Sequence, residues 1–161
     1  MPVKVRLTRS GKIFEVFIST LQKYKEAIGI CVLVTRPYQT FVRTMQDKGL
    51  DVQKMFVLDL CGYADASNVV CVAPADLTLL NLAVEDIVAE LPPQRKFLVF
   101  ESFSRLTVYN PPKLVAKFAI AFFKHLRALD VECSIIVAQD GLDAELLAAL
   151  KQAADVIEYV E

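Results

Sequence analysis

Short apolar runs alternate with amphipathic segments along the whole chain, and this alternation restricts the fold more than any other feature. The runs span Val3 to Leu7, Gly29 to Thr35, Met55 to Leu60, Asn68 to Val72, Phe97 to Phe100, Cys133 to Val137 and Val156 to Val160. Several, such as ICVLV, KFLVF and SIIVA, are rich in β-branched and aromatic residues without polar alternation, the pattern of strands buried on both faces. Such strands need helices above and below, which a β-α-β series with right-handed crossovers supplies. The apolar fraction of 55% exceeds the roughly 45–50% of ordinary soluble domains. That excess fits a doubly covered sheet, an oligomer interface, or both. At 161 residues the chain has the length of one domain and can fold without disulfides or metal, so a single domain over 1–161 is expected.

Between the runs, Ile13, Phe17, Leu21, Tyr24 and Ile28 recur at helical spacing, predicting a helix from about Lys12 to Ala27 that ends near Gly29. A weaker helix is expected from Tyr38 to Lys48, stopped by Gly49. A third carries Leu80, Val84, Ile87, Val88 and Leu91 on one face and ends at Pro92-Pro93. Asn110 before Pro111 and Pro112 reads as a capped helix start, followed by a Leu114, Phe118, Phe122, Leu126 and Leu129 stripe. The last helix is expected over Asp143 to Ala154.

A formal net charge of -1 supplies no overall positive field, which argues against nucleic acid and anionic membranes as partners. Lys4, Arg6, Arg9 and Lys12 make the N-terminal segment locally basic, as expected of a solvated strand end. The longest apolar stretch, Leu114 to Phe123, is broken by Lys117 and is shorter than the roughly 20 residues of a membrane span. With a charged N-terminal segment in place of a signal sequence, the chain reads as cytoplasmic. Cys31, Cys61, Cys71 and Cys133 are far apart and His125 is the single histidine, so no zinc site is expected and the thiols read as buried and reduced.

The segment KFLVFESFSRLTVYN, Lys96 to Asn110, places an acid and then a serine after an apolar strand. It resembles the Walker B strand of KaiC-like members of the RecA superfamily, where the acid is usually Asp. The similarity continues through the proline-started helix, the strand CSIIVAQ and the ending LDAELLAALKQAADVIEYV, and upstream through ADLTLLNLAVEDIVAELPPQ. It covers about Gly29 to Glu161. The resemblance implies a three-layer RecA-like α/β domain with a mostly parallel central sheet and helices on both faces.

It also implies a phosphate-binding loop between the first strand and the first helix. Such a loop has the form G-x-x-x-x-G-K followed by Ser or Thr: amides wrap the phosphates, Lys neutralises them and the hydroxyl ligates Mg²⁺. Here the stretch is RLTRSGKI. Ser10, Gly11 and Lys12 match, but Arg6 stands at the first glycine and Ile13 at the hydroxyl. Read without the family, Ser10 caps a helix beginning at Gly11 or Lys12. The family's second carboxylate, which polarises the attacking water, follows the next strand; here VTRPYQ puts Thr35, Arg36 and Pro37 there. Glu101 takes the place of the Walker B aspartate, followed by Ser102.

The resemblance therefore implies a relic nucleotide site of Ser10, Gly11, Lys12, Glu101 and Ser102, with no catalytic residue, metal-ligand set or resident cofactor. The implied function is that of a pseudo-ATPase, an interaction or regulatory module working with a protein partner or as a homo-oligomer. The alternative is weak binding or hydrolysis of ATP with Mg²⁺ through Lys12 and Glu101. Outside this set, His125 reads as a surface helix residue beside Lys124 and Arg127. Asp140-Gly141 reads as a turn, Asp143 or Glu145 as helix-start acids, and Asp59 as a strand-end acid with a possible ligand role.

Overall fold

The computed structural model of the chain describes residues 1–62 and 66–161. In chain order its elements are β1 (Val3–Thr8), α1 (Ile13–Gln22), β2 (Ile28–Leu33), α2 (Tyr38–Asp47), β3 (Met55–Asp59), β4 (Val69–Cys71), α3 (Leu77–Glu90), β5 (Lys96–Phe100), α4 (Pro112–Ala128), β6 (Glu132–Ala138), α5 (Ala144–Ala153) and β7 (Val156–Tyr159). Short 3₁₀ helices cover Ser10–Lys12, Val52–Lys54 and Phe103–Val108. The strands form one sheet in the order β4-β3-β2-β5-β6-β1-β7, and every neighbouring pair is parallel. The mostly parallel sheet expected from the sequence is thus wholly parallel.

Period-two alternation divides the central strands between two cores. Ile30, Val32, Leu98, Phe100, Ile135 and Val137 face the layer made by α3, α4 and α5. Cys31, Leu33, Phe97, Val99 and Ile136 face α1 and α2, meeting Phe17, Leu21, Phe41 and Met45. The larger core is centred on phenylalanines: Phe100 meets Phe103 at 5.1 Å, and Phe118 stacks on Phe122 at 4.9 Å between ring centres. Each fully buried ring contributes about 1.5–3 kcal/mol. Among the described residues no helix is long and apolar enough to cross a membrane.

Several local expectations change. Helix α1 stops at Gln22, well before Ala27, because Lys23, Tyr24 and Ala27 donate to carbonyls three residues back, which closes turns in place of α-helix. Gly29 is no helix terminator. It lies inside β2 opposite Phe97, where an added Cβ would come within 2.4 Å of the Phe97 carbonyl oxygen and 2.6 Å of its ring. Asn110 does not cap α4; its buried amide donates to the carbonyls of Pro74 and Leu106. Arg6 is buried rather than solvated, donating to Thr20 Oγ1 on α1 and to Glu158 on β7 at 3.2 Å. Cys31 and Cys133 are buried as expected, but Cys61 is half-buried and Cys71 exposed.

Gly29→Ala is expected to destabilise the protein by about 1–3 kcal/mol, since the methyl group must displace backbone and ring together. Chemical denaturation measures this, and a loss below about 0.5 kcal/mol would contradict the close approach.

Candidate functional site

Consecutive strands run outward in one direction from β2 through β3 to β4, and in the other from β5 to β6. The C-terminal ends of β2 and β5 therefore mark the switch point, where open α/β sheets place ligands. A cleft of about 730 Å³ opens at this end of the sheet. Its walls include Ser10, Gly11, Thr35, Arg36, Ser102 and Ser104, with Arg105, Asp140 and Asp143 at its charged margins. Of the five residues assigned from the sequence, Ser10, Gly11 and Ser102 line this cleft, whereas Lys12 and Glu101 are absent from its lining.

The turn between β1 and α1 is short and closed. Residues from Arg6 to Thr8 still belong to β1, and Lys12 N donates to Arg9 O at 2.9 Å to close the 3₁₀ turn. Ser10 does not cap the helix. Its amide donates to Asp140 Oδ1 and its hydroxyl to Asp140 Oδ2, both at 2.7 Å. These bonds from Ser10 hold the Asp140 carboxyl below its ordinary range. Gly11 meets nothing within 4 Å of an added Cβ, so no close approach demands a glycine there. Lys12 Nζ pairs with Glu15 Oε2 at 3.3 Å, one turn along its own helix. Ile13, at the position of the family hydroxyl, is buried in the α1 core.

Glu101 is fully buried directly after β5. Its own amide donates to Val32 O at 2.9 Å, extending the β5–β2 ladder by one step. Its side chain then reaches past the end of β2, where Oε1 accepts from Val34 N at 2.9 Å and Thr35 N at 2.8 Å. Asp59 acts on the same connection from the other side. Its Oδ2 accepts from Tyr38 N at 3.2 Å, and its Oδ1 from Cys61 N at 3.0 Å. The backbone from Val34 to Tyr38 is thus held between carboxylates from β5 and β3. This is a structural task for Asp59, in place of the ligand role its strand-end position suggested. Glu101 Oε2 and Thr8 Oγ1 are buried without a protein hydrogen-bond partner among the described residues.

The other polar candidates are tied locally. Arg36 lies over the Phe14 ring at 4.1 Å. Asp143 caps α5 by accepting from Leu146 N at 3.0 Å, and Gly141 takes the positive φ of +73° that its turn requires. His125 is half-buried, not a surface residue: Nδ1 is 2.6 Å from Asn81 Oδ1, and Nε2 is 3.5 Å from Glu85 on α3. Burial pushes the Cys61 thiol up to about 12, reinforced by Asp59, and burial pushes Cys133 to about 12 as well, so neither is a ready thiolate at neutral pH. The Ser10–Asp140 contact had no local signal in the sequence, since its partners are 130 positions apart. Arg105 and Ser104 were likewise missed; Ser104 Oγ accepts from Ala138 N at 3.0 Å and ties the turn after β5 to β6.

The architecture is that of KaiC-like proteins. Similar solved structures come from the hyperthermophilic archaeon Pyrococcus horikoshii. The KaiC-like protein PH0186 matches with a TM-score of 0.70 at 14% identity, covering 96% of this chain and 69% of that one. The uncharacterized protein PH0321, in complex with an unknown peptide, matches at 0.66 and 11%, covering 99% and 77%. The protein PH0250 matches at 0.66 and 12%, covering 99% and 82%. At such identities the likeness is one of fold. No protein-family model matches the chain, and no curated protein matches it.

Two substitutions test the site. Glu101→Ala leaves the Val34 and Thr35 amides without their acceptor, and a loss of about 2–4 kcal/mol is expected whether or not Mg²⁺ and ATP are present. Because the Asp140 carboxyl is held low in the folded state, its contribution is complete above the ordinary carboxylate range and disappears as pH falls through the depressed value. Denaturation over a pH series should therefore show a loss on the acid side that is smaller in Asp140→Asn; identical profiles would count against the contact.

Proposed function

We propose that the protein is a non-catalytic RecA/KaiC-like module that works through protein contacts, as a homo-oligomer or as a regulatory partner of active relatives. The observation that carries this reading is the internal use of the groups a phosphate would need. Ser10 gives its amide and hydroxyl to Asp140, and Lys12 gives its charge to Glu15. A nucleotide's phosphates would have to displace an anion already seated by two hydrogen bonds. The end of β2 carries Thr35 and Arg36, and a guanidinium cannot take a proton from water at neutral pH.

The same donors test the fit of a magnesium nucleotide. The hydroxyl position is a core isoleucine, and one oxygen of Glu101 is committed to backbone amides. The set does not match an octahedral Mg²⁺ site joined to a phosphate cradle. Exposed apolar side chains support the protein-contact side of the reading: Leu79, Leu82, Leu114 and Ile120 on α3 and α4, and Val156 and Tyr159 on edge strand β7. A neighbour of the same fold carries a bound peptide, which agrees with use of this architecture for protein contacts.

A second reading, weak nucleotide binding through Lys12 and Glu101, is favoured by the unpartnered Glu101 Oε2 and Thr8 Oγ1 at the strand ends. Scanning calorimetry with ATP and Mg²⁺ separates the two. A real site stabilises the fold by about 2.7 kcal/mol at a hundredfold excess over Kd. We expect no shift in the wild type; a shift that Lys12→Ala abolishes would replace the non-catalytic reading with the second one.

A further inference from the structure

Helices α3 and α4 pack side by side on the same face of the sheet, joined by His125 with Asn81 and Glu85. Their charges are segregated. α3 with its cap carries Asp76, Glu85, Asp86 and Glu90 and no base, whereas α4 carries Lys113, Lys117, Lys124 and Arg127 and no acid. Arg127 is taken by Asp155 at 2.8 Å. Asp86, Glu90, Lys117 and Lys124 are exposed and make no ion pair among the described residues. Adjacent acidic and basic helices would neutralise each other if these side chains met. They do not: across the seam the charged contact among the described residues is His125 with Glu85, and these four side chains are left out of it.

The same outer surface is apolar between the charges. Leu82 is 50% exposed and Leu114 47%, at helix positions where a polar residue would cost nothing in the core. A shallow groove of about 390 Å³ runs between the two helices, lined by Thr78, Asn81, Leu114, Lys117, Phe118 and Ala121.

We propose that this face binds a second copy of the same chain in an isologous dimer, with the two-fold axis lying along the α3/α4 groove. The proposal rests on the protein-contact reading above and names the partner and the surface. Rotation about such an axis exchanges left and right, so α3 of one protomer faces α4 of its partner and the reverse. Rotation about the groove keeps each residue's height along the helices, and His125 stands level with Asn81 and Glu85, so Asp86 meets Lys124 once on each side of the axis and the exposed leucines are covered between them. A self-complementary surface needs both signs of charge on one patch, and this patch has them. A binder of another sequence would need only one. Opposite-charge placement of this kind sets register and partner choice more than it sets affinity, which the apolar centre supplies.

Sedimentation equilibrium over a concentration series tests the proposal on the full chain. The wild type should give the dimer mass at the high end. Leu82→Gln with Leu114→Gln should weaken Kd about tenfold or more through loss of the apolar centre. Asp86→Lys places like charges across the axis, as does Lys124→Glu, and each should weaken Kd about tenfold or more. Mixing the two charge-reversed proteins should restore a heterodimer, because each now carries the complement of the other on both helices. Circular dichroism of each variant establishes that it is folded. A wild type that stays monomeric, charge-reversed variants that remain dimeric, or a mixture that stays monomeric each overturns the proposal. A monomeric wild type without an ATP-dependent shift removes this interface and leaves the non-catalytic reading in place with a different protein as partner. A dimer that shows such a shift does the opposite.

Discussion

The end of the sheet depends on two buried carboxylates that hold one backbone connection. Glu101 and Asp59 leave β5 and β3 and accept amides of the segment between β2 and α2 from its two sides. A carboxylate taken out of water must recover hydrogen bonds, and exposed amides at a strand end or at the first turn of a helix must find acceptors. Each requirement meets the other here. The additional methylene of glutamate gives the reach that brings its oxygen beyond Val34 to Thr35. With the connection pinned, α2 starts at Tyr38 in a fixed position, and Phe41 and Met45 enter the α1/α2 core. The same pinning sets one wall of the cleft.

A similar economy governs the turn after β1. A helix start attracts negative charge, and in open α/β sheets that end of the sheet faces a cleft. In this chain the anion is supplied from the loop after β6, as the Asp140 side chain. The contact also carries structural weight, since Gln139 N donates to Thr8 O at 2.9 Å and Ala138 N to Ser104 Oγ. The loop after β6 is thereby fastened to both of its neighbours, β1 and the turn after β5. Cleft geometry and cleft occupancy are settled by the same few side chains.

Much of this was legible in the sequence, for a physical reason. Strands buried on both faces take few polar residues, so β2, β5 and β6 appear as apolar runs, interrupted in β6 by the buried Ser134, and helices covering them appear as stripes such as Leu114 to Leu129. Boundaries were less legible because turn residues have several uses. Gly29 resembles a helix stop but serves a close approach to Phe97 inside the sheet. Ser10 and Asn110 resemble caps, yet both spend their side chains on distant partners, Asp140 and Pro74. The alternation of Lys4 and Arg6 in β1 resembles a wet edge, whereas Arg6 is enclosed between Thr20 and Glu158. In the site, the identity of Glu101 was readable and its employment was not, since both recipient amides lie 66 or 67 positions away.

The place of β1 in the sheet sets an order of assembly. It lies between β6 and β7, and its first amide, Val3 N, donates to Asp155 across 152 positions. Strand β1 therefore gains its hydrogen-bonding neighbours only after β6 and β7, which follow it in the chain, have been laid down. Closing so long a loop costs entropy before any contact repays it, which slows folding. The β2–β3–β5 region has closer partners and a phenylalanine-rich cover, so it can organise while β1 waits. Until β6 is in place, Val3, Val5 and Leu7 lack the strand that carries Cys133, Ile135 and Val137 into the same core.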